Sequence, residues 1–301
     1  MPMDHPLLTR REALAKAALA GLALPLLGAS QALRAGAEPA PSAPRQSPRL
    51  ILGLAGYSLR KLSIDDAIAA AKALRVESIS VFRVHVPILL STPEVCAAAA
   101  KKFRDAGLTI AGTGVVTLSP TESSMRRAFE CARAAGVSTM TASYAAPPDR
   151  AALQLTERFV REYDIRLAFH NHGPEDKIFP SPYDVWNAVA PYDERMGLCI
   201  DVGHSARAGV DPVEAIHRCS GRLYDVHLKD TVAGVGEKDS PVGLGFGRLD
   251  LPAIIAALIK VGFRYQAGLE DEIDTPDPIP GIAQSLGYMR GVLAALPNPL
   301  P

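Results

Sequence analysis

Short apolar runs alternate with longer amphipathic runs along most of this chain, at a nearly regular spacing, and that repetition limits the folds available more than any other feature. Residues 49–54 read as a buried strand, with Gly56, Tyr57 and Ser58 at its end. Ser63 then caps a helix whose apolar face is Ile64, Ala67, Ile68, Ala71 and Leu74, and Asp65 and Asp66 occupy the first turn, where the dipole favours them. Further strands are predicted at 78–82, 108–116, 137–144, 165–169, 196–200, 223–228 and 265–269. Helices alternate with them at 92–106, 122–135, 149–163, 182–190, 212–219, 251–261 and 280–295. About eight such units predict an α/β fold, a (β/α)8 TIM barrel over residues 49–298. A doubly wound sheet fits less well: no strand runs into a GxGxxG turn, and polar residues close nearly every strand instead of gathering at one switch point. Gly243, Gly245 and Gly247 follow no strand directly and read as a flexible loop over the barrel mouth.

Residues 1–37 read as a targeting segment outside the fold. Arg10-Arg11 is a twin-arginine pair, the apolar run 17–27 follows, and Ala35-Gly36-Ala37 has the small residues of a cleavage site. That order predicts export to the periplasm by the twin-arginine route, which carries proteins already folded. The apolar run is shorter than the ~20 residues a membrane span needs, so no stable membrane insertion is expected. Residues 38–48, mostly Pro, Ala and Ser, read as a disordered linker. Lys plus Arg and Asp plus Glu both number 32, which gives no electrostatic reason to expect nucleic acid as a partner. A small, weakly charged substrate fits better, and a homo-oligomer is compatible. Cys96, Cys131, Cys199 and Cys219 show no CxxC spacing and read as buried thiols.

The C-terminal ends of barrel strands carry the active site in this architecture. The fifth strand ends in His170-Asn171-His172, the sixth in Asp201 and His204, the seventh in His227, Lys229 and Asp230, and the eighth in Glu270, Asp271 and Glu272. Imidazoles and carboxylates gathered in this way suit one divalent metal ion such as Mn, Co, Zn, Fe or Ni. Glu270 and Asp201 end apolar runs where an unpaired carboxylate is costly, and His227 alternates toward the barrel interior. His170 and His172 point the same way by the strand's period of two, so one ligates while the other orients substrate or a ligand. Lys229 and Asp230 read either as site groups or as an ion pair on the rim.

These segments, with Tyr57-Ser58, His85-Val86-Pro87, Asp201-Val202-Gly203-His204, Val226-His227-Leu228-Lys229-Asp230, Gly245-Phe246-Gly247 and Leu269-Glu270-Asp271-Glu272, resemble the sugar phosphate isomerase/epimerase family of xylose-isomerase-like TIM barrels. The resemblance spans essentially the whole chain after the linker. It implies one divalent metal held by His170, Asp201, His227 and Glu270, and an isomerase or epimerase reaction through a metal-stabilised enediolate of a keto-sugar or cyclitol. In that reading Glu270 or a nearby histidine takes the proton, His172 or His204 returns one, Lys229 and His172 hold substrate oxygens, and His85 lines the sugar pocket. The family's epimerases use a pair of glutamates, and His170 stands where the first would be. Subfamilies with a similar HNH element include inosose dehydratases and enzymes of 3-keto-glycosides, so a periplasmic lyase, hydrolase or dehydratase is the alternative. A nuclease of the same barrel type is disfavoured by the zero net charge, and a non-catalytic sugar-binding protein has no use for a complete set of metal ligands.

Overall fold

The computed structural model describes residues 50–296. The twin-arginine segment, the linker and residues 297–301 lie outside the described residues. The barrel strands are β1 (Ile51–Ala55), β2 (Ser78–Val81), β3 (Thr109–Leu118), β4 (Thr139–Tyr144), β5 (Arg166–His170), β6 (Met196–Asp201), β7 (Leu223–Leu228) and β8 (Gln266–Leu269). All are parallel and close in the order β1-β8-β7-β6-β5-β4-β3-β2, which is the predicted TIM barrel. The helices are α1 (Ile64–Ala73), α2 (Pro93–Asp105), α3 (Glu122–Ala134), α4 (Arg150–Tyr163), α5 (Pro182–Val189), α6 (Val202–Arg207), α7 (Pro212–Cys219), α8 (Leu251–Lys260) and α9 (Ile279–Ala295). None of the described helices is long and apolar enough to cross a membrane.

Local chemistry sets the boundaries. Ser63, Thr121, Asp149 and Asp250 each accept a backbone N–H of the helix they precede, and Ser181 with Asp184 forms a reciprocal capping box on α5. Gly107 after α2 and Gly136 after α3 take positive φ, 84° and 72°, which stops each helix without strain from a Cβ. Apolar side chains of the strands, such as Leu54, Ile79 and Leu118, are buried with Phe103, Phe129 and Phe159 of the helical layer in one core.

Two strands run one residue further than their apolar pattern. His170 pairs with Cys199 and Asp201 with His227, so backbone pairing carries both polar residues inside the sheet. Helix α6 was not expected, because six residues are too few to show a period; Asp201 starts it by accepting the His204 N–H at 2.7 Å. A two-residue antiparallel pair, Asp230–Thr231 with Pro241–Val242, also escaped the pattern.

Asp193, in the turn before β6, offers a test of this frame away from the barrel mouth. Burial disfavours its charge, but the guanidinium groups of Arg161 at 2.8 Å and Arg195 at 3.0 Å outweigh that and hold its pKa at about 2, against 3.8 ordinarily. A depressed carboxyl pKa stabilises the fold above the unfolded value, and the contribution disappears as pH falls through the folded one. Asp193→Asn is expected to cost roughly 1–2 kcal/mol at pH 7, less than the full shift because both arginines are solvated. Urea unfolding of the two proteins should show their midpoints converging between pH 4 and pH 2; a gap independent of pH contradicts the assignment.

Candidate active site

Barrel register brings four buried donor groups to the C-terminal ends of β5 to β8. Asp201 and His227 are paired, and Gly268 pairs with His227, so Glu270 sits two residues further along β8 on the same inward face. His170 Nε2 lies 2.9 Å from His227 Nδ1 and 3.7 Å from Asp201 Oδ2, and His227 Nδ1 lies 3.0 Å from Glu270 Oε2. All four ligand atoms fall within 4.8 Å of one another. Asp201 Oδ2, although buried, has no hydrogen-bond partner. Two imidazoles and two carboxylates converging in this way, one oxygen left orphaned, fit a divalent cation; burying them for packing alone has no such rationale.

Burial and charge work against each other here. Burial lowers the His170 pKa to about 3, and the neighbouring His172 adds to that. Burial raises Glu270, but His227 and Lys229 prevail and hold it at about 2; Asp201 is held well below the carboxylate range by His204 and Lys229, again against burial. The Lys229 ammonium, 1% exposed, is the counterweight. It lies 2.6 Å from Glu272 Oε2, 3.2 Å from Asp201 Oδ2 and 3.1 Å from His204 Nε2. Burial pushes its pKa down, and Asp201, Glu272 and Glu270 more than reverse that. His204 Nε2 is its hydrogen-bond partner, and Asp201 and Glu272 are its ion-pair partners. Lys229, expected to hold a substrate oxygen, is thus enclosed by protein groups at the centre of the site.

The other expected site residues divide in a similar way. His172 sits on the rim, its side chain 37% exposed, with Nδ1 3.1 Å from Asp176 and its ring 4.4 Å from that of His170. His204 is boxed in: Nε2 meets Lys229, while Nδ1 lies 3.2 Å from Arg207 and 3.6 Å from Asp239. Burial lowers its pKa to about 4, against Asp201 and Asp239, which raise it. His85 is not in the cluster either. It is buried edge-on against Phe103, 6.3 Å away, and neither of its ring nitrogens has a hydrogen-bond partner. Nor do Lys229 and Asp230 pair. Asp230 accepts the N–H groups of Gly245 and Gly247 at 3.0 Å each and of Leu249 at 3.2 Å. The glycine loop is thus pinned; a Cβ at Gly247 would come 2.0 Å from Asp230 Oδ1.

Asp176 and Asp225 were missed in the sequence. Asp176 lies four residues after His172 in a loop, where no period announces a contact. Asp225 precedes His227 by two, and that parity on one strand was a legible signal.

A closed parallel barrel with imidazoles and carboxylates gathered at its strand ends defines a TIM-barrel protein with a metal-type donor set. Residues 68–292 match the family described as xylose isomerase-like TIM barrel, and the chain belongs to it. It is 32% identical over 150 residues to a rhizopine catabolism protein, MocC, of Rhizobium meliloti, covering 45% of this chain and 44% of that protein. It is 26% identical over 145 residues to an inosose dehydratase of Geobacillus kaustophilus (strain HTA426), covering 43% and 45%. The chain thus aligns with less than half the length of each of these two relatives. Among solved structures, the apo 3-keto-D-glucoside 4-epimerase of E. coli superimposes with a TM-score of 0.60 at 13% identity, covering 81% of this chain and 100% of that one, a likeness of fold.

Lys229→Met removes the ammonium that lies among Asp201, Glu270 and Glu272. It is expected to destabilise the chelator-treated protein by about 3 kcal/mol, because the fully buried Asp201 then loses the ammonium beside it. A denaturant midpoint equal to wild type refutes this account of the site.

Proposed function

We propose that this protein is a divalent-metal-dependent enzyme that abstracts the proton beside the carbonyl of a keto-sugar or cyclitol, an isomerase or epimerase-type reaction. The observation that carries this reading is the convergence of His170, Asp201, His227 and Glu270 within 4.8 Å on the catalytic face of the barrel. A bound divalent ion supplies Lewis acidity, which polarises the carbonyl and makes the neighbouring C–H acidic. The residues of the chain do the rest. His170, Asp201, His227 and Glu270 hold the ion. Lys229 keeps Asp201, Glu270 and Glu272 ionised and in place. His172 is partly exposed and has one ring nitrogen tied to Asp176, which leaves the other free to move a proton at the mouth.

A second reading rests on His170 itself. With an imidazole where the family's epimerases carry their first glutamate, no glutamate pair flanks the substrate, and the removed proton is followed by loss of a neighbouring oxygen substituent. That outcome makes the enzyme a lyase or dehydratase of keto-glycosides or inososes, and the similarity to an inosose dehydratase supports it. We place the reaction in the periplasm on the strength of Arg10-Arg11 and the apolar run behind it.

Incubating the metal-loaded protein with keto-sugars, inososes and 3-keto-glycosides in D₂O tests the reaction. Deuterium incorporation without cleavage supports isomerisation, and a released alcohol or water with an enone product supports elimination; neither on any of these substrates refutes both. His172→Gln is expected to keep its metal and lose roughly 10²–10⁴-fold in exchange, whereas Glu270→Gln loses metal and activity together. An active, metal-free Glu270→Gln protein overturns the proposal. For export, an Arg10→Lys, Arg11→Lys variant should remain in the cytoplasmic fraction; periplasmic recovery equal to wild type rejects that assignment.

A further inference from the structure

Asp225 lies two residues before His227 on β7, so its side chain shares the inward face one layer nearer the barrel floor. It is buried, and both of its oxygens are held. Oδ1 accepts the Val226 N–H at 2.9 Å, and Oδ2 accepts the Thr141 hydroxyl, which reaches across the barrel from β4, at 2.5 Å. The same Oδ2 lies 3.6 Å from Nε2 of His227. The opposite ring nitrogen, Nδ1, is the one turned toward His170 Nε2 at 2.9 Å and Glu270 Oε2 at 3.0 Å.

A neutral imidazole carries one proton, and the nitrogen without it offers the lone pair a metal needs. The separation from Asp225 exceeds a direct hydrogen bond, so the carboxylate acts by charge: an N–H on Nε2 points its positive end at an anion in a desolvated setting. We propose that Asp225 is a positioning residue that keeps His227 in its Nε2–H tautomer, making Nδ1 the metal-facing nitrogen, with Thr141 holding the carboxylate in aim. This inference rests on the metal-centre reading above. It adds a third carboxylate, beneath the ligands, whose task is to choose which nitrogen ligates.

The test uses the full chain with zinc as the probe. Zinc affinity is measured by chelator competition, and the His227 tautomer by long-range ¹⁵N–¹H correlation in the zinc-loaded protein. Wild type is expected to show the proton on Nε2. Asp225→Ala should lose zinc affinity by about ten- to a hundredfold, the usual effect of removing an outer partner of a metal-bound histidine. Asp225→Asn, nearly isosteric and read on its own if the alanine variant does not fold, should fall between the two. Restoration of tighter binding in Asn relative to Ala separates positioning from general loosening of the barrel. A wild-type His227 protonated at Nδ1, or Ala and Asn variants that bind zinc within about twofold of wild type, overturns the inference while leaving the metal centre standing. A wild type that binds no zinc overturns the metal centre and this inference together.

Discussion

The barrel mouth depends on the buried ammonium of Lys229. Asp201, Glu270 and Glu272 bring three carboxylates close together, and in a desolvated setting their mutual repulsion is severe without a cation among them. The lysine reaches them because it follows His227 by two, one residue past the end of β7, and is enclosed on the same side. Packing then closes round it. Gly203 is one consequence: a Cβ there would sit 2.5 Å from the lysine stem, so the residue after Val202 in α6 has to be small for the ammonium to arrive. His204, one residue further, completes the set of acceptors. The charge arrangement and the local sequence of α6 are a single solution.

The sequence made the barrel and its donor tetrad legible for the same reason. Strand parity is rigid, so polar residues at the ends of successive apolar runs could be placed on the inward face, which left His170 and His172 as alternatives, and the family resemblance then implied the set His170, Asp201, His227 and Glu270. What failed to show was whatever depends on loop paths. His85 follows a short strand, as the cluster members do, but it lies in the loop beyond β2, with its ring against Phe103. Asp230 looked like a partner for its neighbour Lys229, but adjacent strand residues point to opposite faces, and its carboxylate instead organises Gly245, Gly247 and Leu249. The glycine loop, expected to be flexible, is held by those same bonds. Glycine content marked a close approach of backbone to side chain, and only the three-dimensional path could tell that from mobility.

The histidine at position 170 changes what the tetrad can do. Asp201 and Glu270 together carry two negative charges, which balance a divalent cation, and Lys229 balances Glu272. A glutamate at position 170 would leave one unmatched charge in a site whose ligands are all buried. The imidazole avoids that, and burial keeps it neutral. A neutral ligand would also withdraw less of a bound cation's positive charge than a carboxylate, which would leave more of it to act as the Lewis acid of the proposed reaction. The same substitution removes a carboxylate that could double as a base. A nitrogen that ligates would have no lone pair left to accept a proton, so under the proposed reading His170 itself would not serve as a base, whereas His172, adjacent in space to it and tied to Asp176 through one nitrogen only, is placed to move one.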